Sequence, residues 1–182
     1  MRISSRMRYR EQSEWRAASR LSAKPAHRRP QERLVEMMRR RSTRKLAYKA
    51  LKLLGVEVPP TVEIGENLRL PHGAVGLVIH EGTVIGDNVK LFQGVTLGFA
   101  DQHLRIDEQS CTPGSIGRIV VEDDVVIGAG AKVMFKYGQT LTLGRGAVIG
   151  TNAVVLSSVP PGETWVGIPA RRIPTQLSRV AL

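Results

Sequence analysis

Cysteine is nearly absent: Cys111 stands alone in 182 residues, so neither an intrachain disulfide nor a cysteine-built zinc cluster is possible. Aromatic residues are scarce at 4%, while apolar residues reach 42%. The core must therefore come from Val, Ile, Leu and Ala. That composition favours a regular architecture of small, β-branched residues over one packed around large rings. No apolar run approaches the ~18 residues of a membrane-spanning helix. The first residues lack the apolar stretch of a secretory signal, which makes the cytoplasm the default compartment. They are rich in Arg and poor in acids, as organellar transit peptides are, but nothing else points to import.

Acidic residues are also what the first third lacks. The chain carries +11, and residues 1–58 hold 17 Lys and Arg against 5 Asp and Glu, while the remainder holds 10 against 11. A basic arm with Arg39, Arg40, Arg41, Arg44 and Lys45 could serve a nucleic-acid or membrane-surface binder. Aromatics for base stacking are too sparse to favour that reading. A solvated arm is the preferred account, and nucleic acid is not an expected partner.

Residues 1–32, broken by Pro25 and Pro30, read as a flexible basic tail with one short helical stretch around residues 11–20. Residues 33–57 read as a helical segment. Leu46, Ala50, Leu53 and Leu54 share one face of a helix over residues 33–54, and Gly55, Pro59 and Pro60 stop it. Residues 174–182 read as a C-terminal tail.

From Val58 onward a six-residue period takes over. It runs through Val58, Ile64 and Leu70; Ile79, Ile85, Leu91 and Leu97; Val121, Ile127 and Val133; then Leu143, Ile149 and Val155. Gly follows many of these, as at Gly65, Gly86, Gly98, Gly128, Gly144 and Gly150. Four places after each start sits a second small or apolar residue, as at Val62, Leu68, Thr83, Val89, Val95, Val125, Ala131, Ala147, Ala153 and Val159. Each hexapeptide can form one short strand and one turn, and three complete a triangular coil whose aliphatic residues stack inward. A single coil cannot bury its own face, so about four to five must stack. Corner residues such as those at Gly86, Asp87 and Asn88 are expected to tolerate positive φ. The expected fold is a parallel β-helix over residues 58–173, whose hand the residues alone do not give.

Three interruptions stand out. Leu70 to Ile79 is nine residues, a slip of three around Pro71, His72 and Gly73. Residues 99–119 form a polar loop without repeats, and about four residues are inserted near 135–138. Loops thrown out of a regular scaffold are where chemistry usually sits.

Four stretches carry a resemblance: LPHG (residues 70–73), IGDNVKLFQGVTLG (85–98), IGAGAK (127–132) and VVLSSVPPGETWVGIPAR (154–171). Over residues 46–173 the chain resembles the hexapeptide-repeat acyltransferases, in particular their serine acetyltransferase-like branch with its saccharide O-acetyltransferase relatives. The resemblance implies a left-handed parallel β-helix that assembles as a homotrimer, with acetyl-CoA as co-substrate in a groove between subunits. It also implies a catalytic base at His72, since a hydroxyl acceptor needs a group titrating near neutrality to take its proton during attack. Direct transfer is expected, because Cys111 lies in the loop without an activating base. Gly128, Ala129, Gly130 and Ala131 are expected to let the coenzyme's arm approach, with Lys132, Arg171 and Arg172 meeting its phosphates and Ala170 in the segment that closes the helix.

Two departures redirect the substrate. Serine acetyltransferases place an Asp before this His, where the chain has Pro71, and a second family His aligns with Arg118. Asp101, His103, Arg105 and Arg118 are therefore taken as acceptor-binding candidates, and the acceptor as L-serine or a saccharide hydroxyl. His80 reads as structural. No metal is expected. The rival within the fold is a zinc enzyme like the β-helical carbonic anhydrases, for which His72, His80 and His103 would supply imidazoles.

Overall fold

A computed structural model describes residues 28–101 and 116–174 of the chain. The helical stretch expected at 11–20, Cys111, His103, Arg105 and the tail at 175–182 lie outside the described residues. What is described is mainly β, with parallel sheets, two α-helices and one short 3-10 turn.

Among the described residues, fourteen short strands form three sheets. The first holds β1 (Val56–Glu57), β3 (Leu77–Ile79), β6 (Thr96–Phe99), β9 (Lys132–Phe135) and β12 (Val154–Val155). The second holds β2 (Glu63–Ile64), β4 (Val84–Ile85), β7 (Gly117–Val121) and β10 (Gln139–Leu143). The third holds β5 (Lys90–Leu91), β8 (Val126–Ile127), β11 (Val148–Ile149), β13 (Thr164–Val166) and β14 (Arg171–Ile173). From β3 to β12 the chain visits the sheets in strict rotation, first, second, third, then first again. All pairings are parallel except β13 with β14.

Register turns the six-residue period into a core. Ile79, Leu97, Val133 and Val155 stack in the first sheet, and Ile64, Ile85, Val121 and Leu143 in the second. Leu91, Ile127, Ile149 and Trp165 stack in the third. The repeat-start residues are buried except Ile64, which is half-buried, and the second set four places on is buried throughout. Each buried aliphatic side chain contributes about 1.5–3 kcal/mol of transfer free energy.

The corners correct one expectation. Positive φ falls on Asn88 at 58°, and likewise on Asn67 and Asp124, but not on the phased glycine Gly86. Gly86 is required because the next coil comes too close: a β-carbon there would lie 2.9 Å from the backbone nitrogen of Asp123. Gly65, Gly86, Gly128, Gly144 and Gly150 mark close approach rather than left-handed backbone, whereas Gly98 has ordinary room for a β-carbon.

The helical segment also differs from its reading as one helix. It is two, α1 (Pro30–Met38) and α2 (Arg44–Leu53). Thr43 Oγ1 donates to the Met37 carbonyl at 2.6 Å and Arg44 Nε to that of Met38 at 2.7 Å. These side chains satisfy the last carbonyls of α1 and end it. Arg44 Nη1 reaches on to the Pro60 carbonyl at 3.0 Å, which ties the break to the first coil. Residues 56–57 are already strand. The inward face of α2 carries Ala47 and Leu51, whereas Leu53 is 89% and Leu46 67% exposed. The face expected from Leu46, Ala50, Leu53 and Leu54 is therefore not the buried one. Packing against α1 and β1 selects the neighbouring stripe.

Truncating Leu51 to Ala is expected to cost about 2–5 kcal/mol. Leu53→Ala should stay within about 0.5 kcal/mol. Urea unfolding of both variants checks the assignment, and equal midpoints would refute it.

Candidate active site

The three-residue slip at 71–73 is built as a 3-10 turn, Pro71–Ala74, between the third sheet and β3. Three consecutive residues are left-handed: His72 at φ 55°, Gly73 at 76° and Ala74 at 49°. Leu70 and Ala74 are fully buried, so the turn is anchored at both ends while the His72 side chain is exposed. Its ring lies 6.3 Å from that of Phe92, centroid to centroid. Phe92 belongs to the same corner one coil further on.

Helix α1 meets this turn. Glu32, buried in the first turn of α1, accepts hydrogen bonds from Leu70 N at 3.0 Å and Arg69 Nε at 2.9 Å through Oε1. Its Oε2 accepts from Arg29 N at 3.1 Å. Burial alone would raise its pKa, but the bonds from Arg69, Leu70 and Arg29 and the Arg69 charge outweigh that and hold it below the usual carboxylate value.

The small residues expected near the coenzyme lie along the same edge. Gly128, Ala129, Gly130 and Ala131 join β8 to β9, at the corner between the third sheet and the first. Gly76, Gly94 and Gly130 succeed one another there at φ of 76°, 69° and 70°, followed by Asn152. A β-carbon on Gly94 would touch the Gly130 backbone at 3.6 Å, so the column is bare main chain. Adjacent coils are about 4.8 Å apart, which puts Gly130 on the order of 10 Å along this edge from the His72 turn. Lys132 is not a freely solvated cation: its Nζ donates to the Gly94 carbonyl at 2.7 Å and ties two coils together. Ala170 is buried, its N donating to the Val154 carbonyl at 2.8 Å. Arg171 is exposed on the closing hairpin, with Nη1 on the Ala170 carbonyl.

The acceptor candidates sit elsewhere. His80 follows β3 and Asp101 follows β6, at the opposite end of the first sheet from His72. Asp101 Oδ2 accepts from Tyr137 N at 2.9 Å, which pins the neck of the 99–119 loop to the next coil. Arg118 projects outward from β7 nearby; an added β-carbon on Gly82 would lie 3.5 Å from His80 Nδ1 and 3.7 Å from Arg118 Cβ. Within one chain, Arg118 thus lies near His80, with Asp101 after β6 at the same end of the first sheet, away from the His72 turn. His80 packs edge-on against Phe135 at 5.0 Å and accepts at Nδ1 from Gly82 N at 3.2 Å. That acceptance requires the neutral ring with its proton on Nε2. Burial pushes the His80 pKa down, against a smaller opposing pull from Glu81. Among the described residues no three His, Cys, Asp or Glu side chains form a group able to hold a metal ion.

Sequence reasoning missed Phe92 and Glu32. Phe92 was visible only as an aromatic one place after the repeat start Leu91, and Glu32 only as a carboxylate in an expected tail.

Comparison with known proteins follows the same line. No family model matches the chain. Serine acetyltransferase from Bacillus licheniformis is 42% identical over 117 residues, covering 64% of this chain and 47% of that protein. The enzyme of that name from Staphylococcus xylosus is 43% identical over 115 residues, covering 63% and 46%. The chain spans about half the length of these curated relatives. Among solved structures, a Neisseria gonorrhoeae serine acetyltransferase in complex with serine matches with a TM-score of 0.63 at 26% identity, covering 84% of this chain and 63% of that one. A serine acetyltransferase in complex with CoA matches with a TM-score of 0.59 at 30% identity, covering 78% and 56%. Sequence and fold thus point to one class, the hexapeptide-repeat acyltransferases. Within that class, the chain resembles the serine acetyltransferase branch over its β region.

Because the folded His80 binds its proton less readily than an unfolded imidazole, it adds stability above the ordinary histidine range. That stability is lost as pH falls through that range towards the folded value. Melting temperatures measured at pH 7.5 and 5.5 should therefore fall more for the wild type than for His80→Gln. Identical slopes would remove His80 as the source.

Proposed function

We propose that the chain is an acetyl-CoA-dependent O-acetyltransferase on a left-handed parallel β-helix, with His72 as general base and a small hydroxyl compound as acceptor. The observation that carries this reading is the His72 turn. It interrupts the stack to expose one imidazole, on the edge where bare glycine corners leave room for an extended thiol arm. The likeness to serine acetyltransferases, one of them solved with CoA and another with serine, supports the same chemistry.

In the proposed reaction His72 takes the proton of the acceptor hydroxyl as its oxygen attacks the thioester carbonyl. A new C–O bond forms, the C–S bond breaks, and the proton passes from His72 to the departing sulfur, which leaves as free CoA thiol. Gly128, Ala129, Gly130 and Ala131 line the coenzyme's path. Arg171 meets its phosphates, and Lys132 holds the corner beneath it. Asp101 and Arg118 serve as acceptor contacts for a neighbouring subunit, because they lie at the far end of the strands from their own His72. A homotrimer brings the two ends together, each subunit offering His72 to one neighbour and the loop corner to the other. The acceptor is L-serine or a saccharide; Pro71 and Arg118, standing where serine acetyltransferases have Asp and His, favour the saccharide.

Release of free CoA thiol from acetyl-CoA, with L-serine, glucose and galactose as trial acceptors, tests the reading. His72→Ala is expected to lower kcat by about 10²–10⁴-fold while leaving CoA affinity unchanged by titration. Undiminished turnover would rule out the base assignment. Sedimentation of the wild type as a stable monomer would rule out the shared site.

A further inference from the structure

The exposed His72 ring has no hydrogen-bond partner among the described residues, so its direction is inherited from the backbone beneath it. That backbone is held in the left-handed region at three successive positions, two of them non-glycine. Such residues persist only where their surroundings over-determine them. The surroundings here come largely from α1. Glu32 grips the entry to the turn, taking the N–H of Leu70 and the guanidinium of Arg69 on one oxygen. Leu70 N is the last backbone donor before Pro71, which has none. Gln31, the adjacent residue, closes on the other end: a β-carbon at Gly73 would lie 2.9 Å from Gln31 Nε2. Gly73 N in turn donates to the Leu70 carbonyl at 3.1 Å, so the two grips act on one hydrogen-bonded loop. The Glu32 side chain is only 2% exposed, and burying a carboxylate is costly unless it is fully paired. An apolar residue would fill the same space at lower cost, so packing alone does not account for the carboxylate.

We propose that Glu32 is a positioning residue for His72, fixing through the main chain the turn that presents the imidazole. The role rests on the acetyltransferase reading above. Among the described residues the Glu32 carboxylate hydrogen-bonds to Arg29, Arg69 and Leu70 and not to the coenzyme edge at Gly94 and Gly130, so its loss should act on the base and not on coenzyme binding.

The test compares wild type, Glu32→Gln and Glu32→Ala as full chains, with acetyl-CoA and whichever trial acceptor the wild type turns over fastest. Glu32→Ala is expected to lose about tenfold to hundredfold in kcat, the scale of a misplaced catalytic group. CoA binding should keep its stoichiometry and affinity, and amide exchange should quicken at Leu70 and Gly73. Glu32→Gln, whose amide oxygen can still accept from Leu70 N, should recover part of that kcat. It also serves as the deciding variant if Glu32→Ala does not fold. A role confined to capping α1 would instead lower the melting temperature and the number of CoA sites, with kcat per site unchanged in both variants; that result overturns the proposal and leaves the acetyltransferase reading intact. A wild type that releases CoA with none of the acceptors overturns the reading, and this role with it.

Discussion

Everything in this molecule depends on each circuit of the chain returning one strand spacing above where it began. Two ladders must close at once for that to happen. The backbone of each side must meet the backbone of the previous coil, about 4.8 Å away, and the inward aliphatic must land on its counterpart. Asn67, Asn88 and Asp124 turn one corner in the left-handed region, with φ of 56°, 58° and 61°. Their near-identity keeps successive circuits superimposable. Asn67 Nδ2 even donates to Asn88 Oδ1 at 3.0 Å, a side-chain rung beside the main-chain ones.

A stack of this kind has two ends, and both need cover. At the start, Val35 and Met38 of α1 and Ala47 and Leu51 of α2 join Val56, Val58 and Val62 in one continuous core. At the finish, β14 turns back antiparallel on β13 and takes the exposed edge of the third sheet. Ala170 is buried beneath that hairpin, and an Arg172–Glu163 ion pair at 3.2 Å spans it on the surface. The antiparallel return breaks the run of parallel pairings that the coil would otherwise extend.

The coil was legible in the sequence because its period is local. One inward aliphatic per side repeats at six whatever lies around it, and the positions named from that period are the ones found inside. The phased glycines were legible as positions but not as causes. Nothing in Gly86 says whether its backbone is left-handed or its neighbour too near, and only the stacked coils decide. Helix α2 was misread for a related reason. Leu46, Leu53 and Leu54 form a respectable apolar stripe, yet the partner elements select Ala47 and Leu51 one position round. The site was legible where it breaks the period, at His72, and illegible where it depends on contacts across space. Glu32 reaches Leu70 across 38 residues, a separation at which no local pattern survives. That Asp101 and Arg118 lie at the far end of the strands from His72 likewise follows only from topology.

Placing the candidate base on an insertion also separates function from stability. Within a strand of this fold, side chains alternate between core and surface, and the inward places are all needed for the stack. A histidine inside would displace an aliphatic and bury an imidazole, with the cost that His80 shows on a smaller scale through its lowered pKa. At 71–74 the inward places are kept by Leu70 and Ala74, both fully buried, so His72 takes nothing from the core. What the insertion costs instead is backbone strain, concentrated in the left-handed His72 and Ala74 and resisted by α1 on one side. The turn can therefore vary without disturbing the ladder that carries it. The helix cannot be changed so freely, because it both covers the end of the stack and holds the turn in place.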